Sequence, residues 1–279
     1  MAQTIPRKNW TEDEITLALA LYLRTPRSKI NQHHPDVIEL ARLLHRTPSA
    51  VSMKMHNLGR CDIRLLARDQ KSLSNGSHLD QIVWDKYLGA DRTKPIEPLL
   101  EAVDAILSEF DTPMAAFSLP DVDPTRVTET WAEVKVRRNQ RYFRHTVMAL
   151  YGGRCLVSGL HSDPLIEVAH IVPWRDNQTL RFVQANALTL NVLAHRAYDA
   201  NLLGIDPDMV IHVSPELLEA LDGADEHLRT HFLEANGQKL HITQNETRPA
   251  ADYLDYHYQT YLKHDIRPMT REGFPLPDV

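Results

Sequence analysis

Two histidines and an asparagine between Leu165 and Asp206 constrain this chain more than any other feature. In LIEVAHIVPW, His170 closes an alternating apolar run. In NALTLNVLAHRAYDANLLGID, Asn186 follows a polar connection and His195 lies in a helix-like segment. One imidazole near a strand end, an amide, and a second imidazole on a following helix suit hydrolysis of a phosphodiester with one metal ion. That reaction needs an in-line water, a base to deprotonate it and a cation to hold charge on the phosphate. Neutral imidazole suits the role of base near neutral pH. An Asn can hold the base's loop through its amide, and a helix-borne His can ligate a divalent metal.

The surrounding pattern changes to short strands from Arg154 onward. Cys155–Leu160 and Leu165–Val172 read as a hairpin across a turn at His161–Pro164, with a helix over about Val192–Leu202 and GID after it. A hairpin followed by a helix would gather His170, Asn186 and His195.

A chain of 279 residues is long enough for one large domain or two modest ones. Its 43% hydrophobic and 24% charged residues are those of a soluble globular protein. No window approaches the ~18 uninterrupted apolar residues of a membrane span, and MAQTIPRKNW lacks the apolar core of a signal peptide. Cys61 and Cys155 are the only cysteines, so a reducing cytoplasm is the simplest setting and a four-cysteine zinc site is excluded by count.

The net charge of −6 is unevenly distributed. Residues 1–60 carry nine Lys/Arg against five Asp/Glu, and 126–154 carry seven against two. Residues 61–125 carry six against twelve, and 199–279 six against fifteen. Binding DNA needs a basic face rather than a basic protein, so the two basic blocks keep nucleic acid open as a partner.

The first 60 residues read as three helices. Thr11 and Glu14 form a capping box that opens Glu12–Leu23, and Thr25-Pro26 closes it. A second helix follows Pro35, with Val37, Ile38, Ala41 and Leu44 on one stripe. Thr47 and Pro48 open a third, which Gly59 ends. Only HRTP separates the last two, the tight connection of a helix-turn-helix. Ser49, Ser52, Lys54, His56 and Asn57 fall outside the third helix's apolar stripe and could meet phosphates and base edges. Residues 60–110 read as helical with a loop near Ser74–Ser77 and an amphipathic stretch over Pro98–Phe110. Proline-rich 111–125 is the expected domain boundary. A basic helix, Val127–Tyr151, then crowds Arg137, Arg138, Arg141 and Arg144 before Gly152-Gly153 breaks it.

Over about Tyr151–Asp206 the chain resembles HNH endonucleases with a ββα-metal site. In that family the first His is the general base, the Asn supports it and the last His binds the metal. This carries over to His170 in AHIVPW, Asn186 in NALTLN and His195 in LAHRAYD. The nine-residue step from Asn186 to His195 is the family's usual one, and it selects Asn186 over Asn177 and Asn191. RYFRHTVMALYGGRCLVSGL, the N-terminal helices with Trp10, and PAADYLDYH are similar to parts of bacterial HNH proteins of the restriction type.

The resemblance implies an α+β chain. An N-terminal helix-turn-helix-like module (1–60) and a helical connector (61–125) would precede an HNH core with its basic lead-in (126–206), and a mixed C-terminal extension (207–279) would follow. It implies a metal-dependent DNA endonuclease of restriction or phage defence, using Mg²⁺ or Mn²⁺ and leaving 5′-phosphate and 3′-hydroxyl ends. Two-strand cleavage with one site per chain makes a homodimer the default. The rival readings are a helix-turn-helix regulator with a degenerate HNH fold that only binds DNA, and an RNA-cleaving toxin of the same fold.

Two departures matter. Ala169 stands where many members have a metal ligand, leaving Glu167 and Asp199 as candidates beside His195; Asp199 shares a helix face with it. Paired CxxC zinc ligands are absent, so no structural zinc is expected and the core rests on Leu156, Val168, Ile171, Leu188, Leu190 and Leu193, with Cys155 among them. Arg175 near the turn could clamp a phosphate. Lys54, Asn57, Arg137, Arg138 and Arg141 complete the expected nucleic-acid contacts.

Overall fold

The computed structural model describes residues 9–62, 77–89, 91–110, 131–224, 226–242 and 248–265. At its centre lies helix α1, Glu12–Arg24, in which every residue from Glu14 to Leu23 is buried. The sequence shows one apolar run in ITLALALYL, and helices on all sides of α1 account for it: α2 (Pro35–Leu43), α3 (Pro48–Leu58), α4 (His78–Tyr87), α5 (Glu97–Leu107) and α6 (Trp131–Leu150). Leu17, Leu19 and Leu21 are fully enclosed, each stabilising the fold by about 1.5–3 kcal/mol relative to an exposed side chain.

The capping box at Thr11 forms as expected, with the Thr11 amide donating to Glu14 Oε2 at 2.9 Å. Glu14 is buried, and its charge is met by Arg46 from the α2–α3 connection at 2.7 Å. Arg46 in turn lies over Trp10, 4.1 Å from the ring centroid. The α2–α3 connection is therefore tied to α1 by a buried ion pair. His45 in that connection adopts φ 51°, a left-handed conformation suited to a tight reversal.

Lys54 does not face solvent. Its ammonium lies 2.6 Å from Asp80 of α4, with the two side chains 5% and 1% exposed. Ser52 is also buried, leaving Ser49, Met53 and His56 as the exposed residues on α3, with Asn57 half-buried. The side of α3 expected to carry a cation instead closes on α4, because a buried carboxylate there requires a counter-charge.

Helix α6 runs Trp131–Leu150, and the start expected at Val127 lies outside the described residues, as does the proline-rich boundary at 111–125. Its end matches expectation: Gly152 and Gly153 adopt φ 64° and 71°, and the Gly153 amide donates to Met148 O at 2.8 Å. That is the left-handed cap only glycine adopts without strain. Within α6, Arg138 is buried and paired with Asp104 of α5, whereas Arg137 and Arg141 are exposed.

Strand pairing differs from expectation. Residues 155–160 form a turn, not a strand. The partner of β1 (Ile166–His170) is β2 (Ala187–Asn191), antiparallel, with Ile166 opposite Asn191 and His170 opposite Ala187. Cys155 explains the turn. Its thiol accepts the amides of Ser158 at 3.4 Å and Asn191 at 3.1 Å, curling the segment around a buried sulfur. Leu156 N still reaches Thr189 O at 2.8 Å.

Helix α7, Val192–Asp199, follows β2 without a loop, because Asn191 ends the strand and caps the helix through its side chain on Ala194 N at 2.8 Å. The helix is shorter than expected, stopping where Asn201 turns left-handed at φ 56°. Leu193 is 54% exposed and so lies outside the core, unlike Leu156, Ile171, Leu188 and Leu190. The C-terminal part adds a second antiparallel pair, β3 (Leu203–Ile205) with β4 (Ile211–Val213). Helices α8 (Pro215–Ala220), α9 (Glu226–Ala235) and α10 (Ala251–Asp265) complete it. Helix α10 packs on β3 where Gly204 lets Tyr261 approach: a Cβ at 204 would sit 2.6 Å from the ring.

Segment 91–96 fastens the helical half to the β1–β2 half. Arg92 is buried between Asp62 (2.9 Å) and Gln184 Oε1 (2.9 Å) and lies over Trp84. Ile96 N donates to Phe182 O at 3.2 Å. Replacing Arg92 with Met should remove the buried counter-charge beside Asp62 and destabilise the protein by about 3–5 kcal/mol in urea unfolding. Adding Asp62→Leu should recover much of that loss; a single variant as stable as the parent would mean that Arg92 does not hold the halves together.

Candidate active site

Antiparallel pairing puts His170 at the end of β1 and Glu167 one strand-length back, while α7 folds across the same hairpin and carries His195. Within the loop between the strands, 171–186, one side chain bonds the backbone at two points. Asn186 is fully buried; its Oδ1 accepts from Val172 N at 2.8 Å, and its Nδ2 donates to Val172 O at 3.0 Å and Leu180 O at 3.3 Å. A carboxamide can do this because it offers an acceptor and two donors at one point.

His170 is half-buried, with Nε2 2.7 Å from the carbonyl oxygen of Arg181. A carbonyl only accepts, so Nε2 carries the hydrogen and Nδ1 of the neutral ring keeps its lone pair. The ring stacks on Phe143 of α6, with centroids 5.8 Å apart and planes 15° apart. Burial pushes the His170 pKa below the usual imidazole value. The Arg181 hydrogen bond and the Asp199 carboxylate oppose that shift, while the Arg181 and His195 charges add to it. The ring is thus neutral at neutral pH.

His195 projects from α7 between two carboxylates. Its Nδ1 is 2.6 Å from Glu167 Oε2, and its Nε2 is 3.4 Å from Asp199 Oδ2 one turn on. The three are the candidates expected around the metal, and the fold brings all three together. The ring's nitrogens diverge, so the two carboxylates occupy opposite edges rather than one point. Among the described residues, no cluster of three His, Cys, Asp or Glu side chains has the arrangement of a metal site. Ala169 is fully buried in β1.

Arg175 is 79% exposed in the loop, its guanidinium 3.7 Å from Asp176. Arg137 and Arg141 are exposed on α6, while Arg144 clamps α6 to the start of β1 through Ile166 O at 2.9 Å and Asp163 at 2.9 Å. Lys54 and Arg138 are themselves buried, paired with Asp80 and with the partly exposed Asp104, rather than open to solvent as expected for phosphate contacts.

Three supports of the site carry no signal of spacing in the sequence. The Arg181 carbonyl is backbone and leaves no residue-type trace. Phe143 lies within the amphipathic pattern of α6. His257, in the PAADYLDYH stretch, stacks on Tyr198 with centroids 3.6 Å apart and donates from Nε2 to Tyr198 O at 3.2 Å, pinning the end of α7 beside Asp199.

Residues 155–206 match the family model described as HNH endonuclease. The matched segment is similar to an HNH endonuclease domain, and HNH domains generally point to nuclease activity, a DNA substrate and a divalent metal ion. No curated protein matches the chain. Among the described residues, no helix is long and apolar enough to cross a membrane.

Burial lowers the His257 pKa to about 4 from 6.5. Between those values the unfolded chain binds the proton and the native ring does not, so stability falls as pH drops through that window. The full effect is about 3 kcal/mol. Urea midpoints at pH 7, 5.5 and 4.5 should decline less steeply in His257→Phe than in the parent; parallel declines would assign the acid sensitivity elsewhere.

Proposed function

We propose that this protein is a metal-dependent DNA endonuclease in which His170 is the general base. The observation that carries the reading is the His170 ring itself. Its Nε2–H is tied to the Arg181 carbonyl, its Nδ1 is left with a lone pair, and burial keeps it unprotonated at neutral pH. Nδ1 takes a proton from a water that attacks the phosphorus in line with the leaving oxygen, leaving 5′-phosphate and 3′-hydroxyl ends. Asn186 holds the loop that supplies the Arg181 carbonyl.

His195 Nε2 and the Asp199 carboxylate on its outer edge would hold a Mg²⁺- or Mn²⁺-class ion, with phosphate and water completing its ligands. The short contact to Glu167 makes Nδ1 the donor, so Glu167 orients the ring and Nε2, with Asp199, is the ligand edge. A divalent cation there would neutralise charge building on the phosphate and leaving oxygen. Exposed Arg137, Arg141 and Arg175 would contact the phosphate backbone, with Asn57 on α3 as a further contact of a helix-turn-helix-like module at 1–60. Cutting both strands with one such site calls for two copies, the reason for a homodimer, and a restriction or phage-defence role follows from the same architecture.

Plasmid incubated with the purified chain and Mg²⁺ or Mn²⁺ should be cut, and His170→Ala should lower the rate by about 10²–10⁴-fold while still binding DNA. Equal cutting by His170→Ala would overturn the mechanism, and binding without cleavage under either ion would favour a non-catalytic DNA-binding protein. Because the base acts when neutral, kcat/KM should rise with pH along an acid limb centred below pH 6.5, the ordinary imidazole value. A limb centred above that value would assign the base to another group.

A further inference from the structure

A large aromatic side chain stands half in solvent four residues beyond the base. Trp174 is 50% exposed, in a turn closed by the Asp176 and Asn177 amides on Pro173 O at 2.9 and 3.2 Å. The guanidinium of Arg181 lies over the indole, 5.4 Å from its centroid, and also 5.2 Å from the Phe182 centroid. The same Arg181 supplies the carbonyl that holds His170. Phe182 meets Phe143 edge-on at 5.7 Å, and Phe143 stacks on His170. A continuous series of π-systems and one cation therefore runs from the base outward to the exposed indole. Tyr256 of α10, 47% exposed, reaches the same loop by donating to Asp176 Oδ2 at 3.4 Å.

Trp84 is enclosed at 0% exposure, whereas Trp174 keeps half its surface in solvent with the Arg181 guanidinium over its ring. An aromatic face fixed beside a cation stacks bases without regard to sequence, because every base has a π-face. Bases inside an intact duplex are already stacked on each other and offer no free face, so the ligand must be a base that has left the stack.

We propose that Trp174, backed by Arg181, is a stacking platform for an unpaired or extruded nucleobase beside the scissile phosphate. The platform makes locally opened DNA the preferred substrate. This rests on the nuclease reading for its position next to the base, but the binding it describes does not depend on cleavage. Arg181 couples the two: its side chain holds the platform, and its backbone holds the base.

The test uses the full chain in EDTA, where no strand is cut, with three DNA duplexes at one salt concentration. One is fully paired, one carries a single bulged base, and one carries an abasic bulge. The parent should bind the bulged base about 10-fold more tightly than the paired duplex, with quenching of tryptophan emission. Trp174→Ala should lose that preference while keeping its affinity for the paired duplex. Trp174→Phe should keep much of the preference and lose the quench. The abasic bulge should bind the parent no better than the paired duplex does. A Trp174→Ala variant that retains the preference for the bulged base overturns the proposal, as does a parent that binds all three duplexes alike. If the preference behaves as stated yet no divalent ion supports cutting, the platform stands and the nuclease reading fails.

Discussion

One buried carboxamide orders the centre of this protein. Asn186 is fully enclosed and bonds Val172 and Leu180 from two directions, which sets the path of the loop joining β1 to β2. The next carbonyl along, that of Arg181, then falls on His170 Nε2. The identity of the free ring nitrogen and the orientation of the imidazole descend from that arrangement, while burial keeps the ring neutral against the pull of the same hydrogen bond. A buried amide left without these partners would carry the full desolvation penalty, so the loop has one low-energy path.

The second organising constraint is the burial of charge. Glu14 with Arg46, Lys54 with Asp80, Arg92 with Asp62 and Arg138 with Asp104 each join two elements that are distant in sequence. Buried charges require partners, so these pairs fix how the helices around α1 meet one another and the β1–β2 hairpin. They also draw cations inward that the linear sequence offers to DNA. Of the residues expected to contact nucleic acid, Arg137 and Arg141 on α6 and Arg175 in the loop are exposed.

Much of the helical framework was legible, and the reason is local. Thr11, Thr47 and the Gly152-Gly153 pair act on backbone groups within a few residues, so their signals survive without tertiary context. The closeness of Asn186 and His195 is local in the same way, since the step between them spans only β2 and the first turn of α7. Residues 155–160 were not legible: they alternate like a strand, but the Cys155 sulfur collects two amides and curls them into a turn. Leu193 reads as core on the helix that carries His195, yet faces solvent because α7 turns its other side to the hairpin.

Residue identity, spacing and the family resemblance by themselves singled out the candidate groups: His170, Asn186 and His195 with carboxylates at 167 and 199, on a strand, a loop and a helix. Tertiary structure alone decided how each group is placed. It chose β2 as the partner of β1, put Glu167 and Asp199 on opposite edges of His195, gave the hydrogen on His170 to Nε2, and held Trp174 open to solvent while closing Lys54 and Arg138 away. Short-range spacing is written in the chain, whereas burial and hydrogen-bond partners depend on which distant segments share a surface, and those are settled only when the core closes.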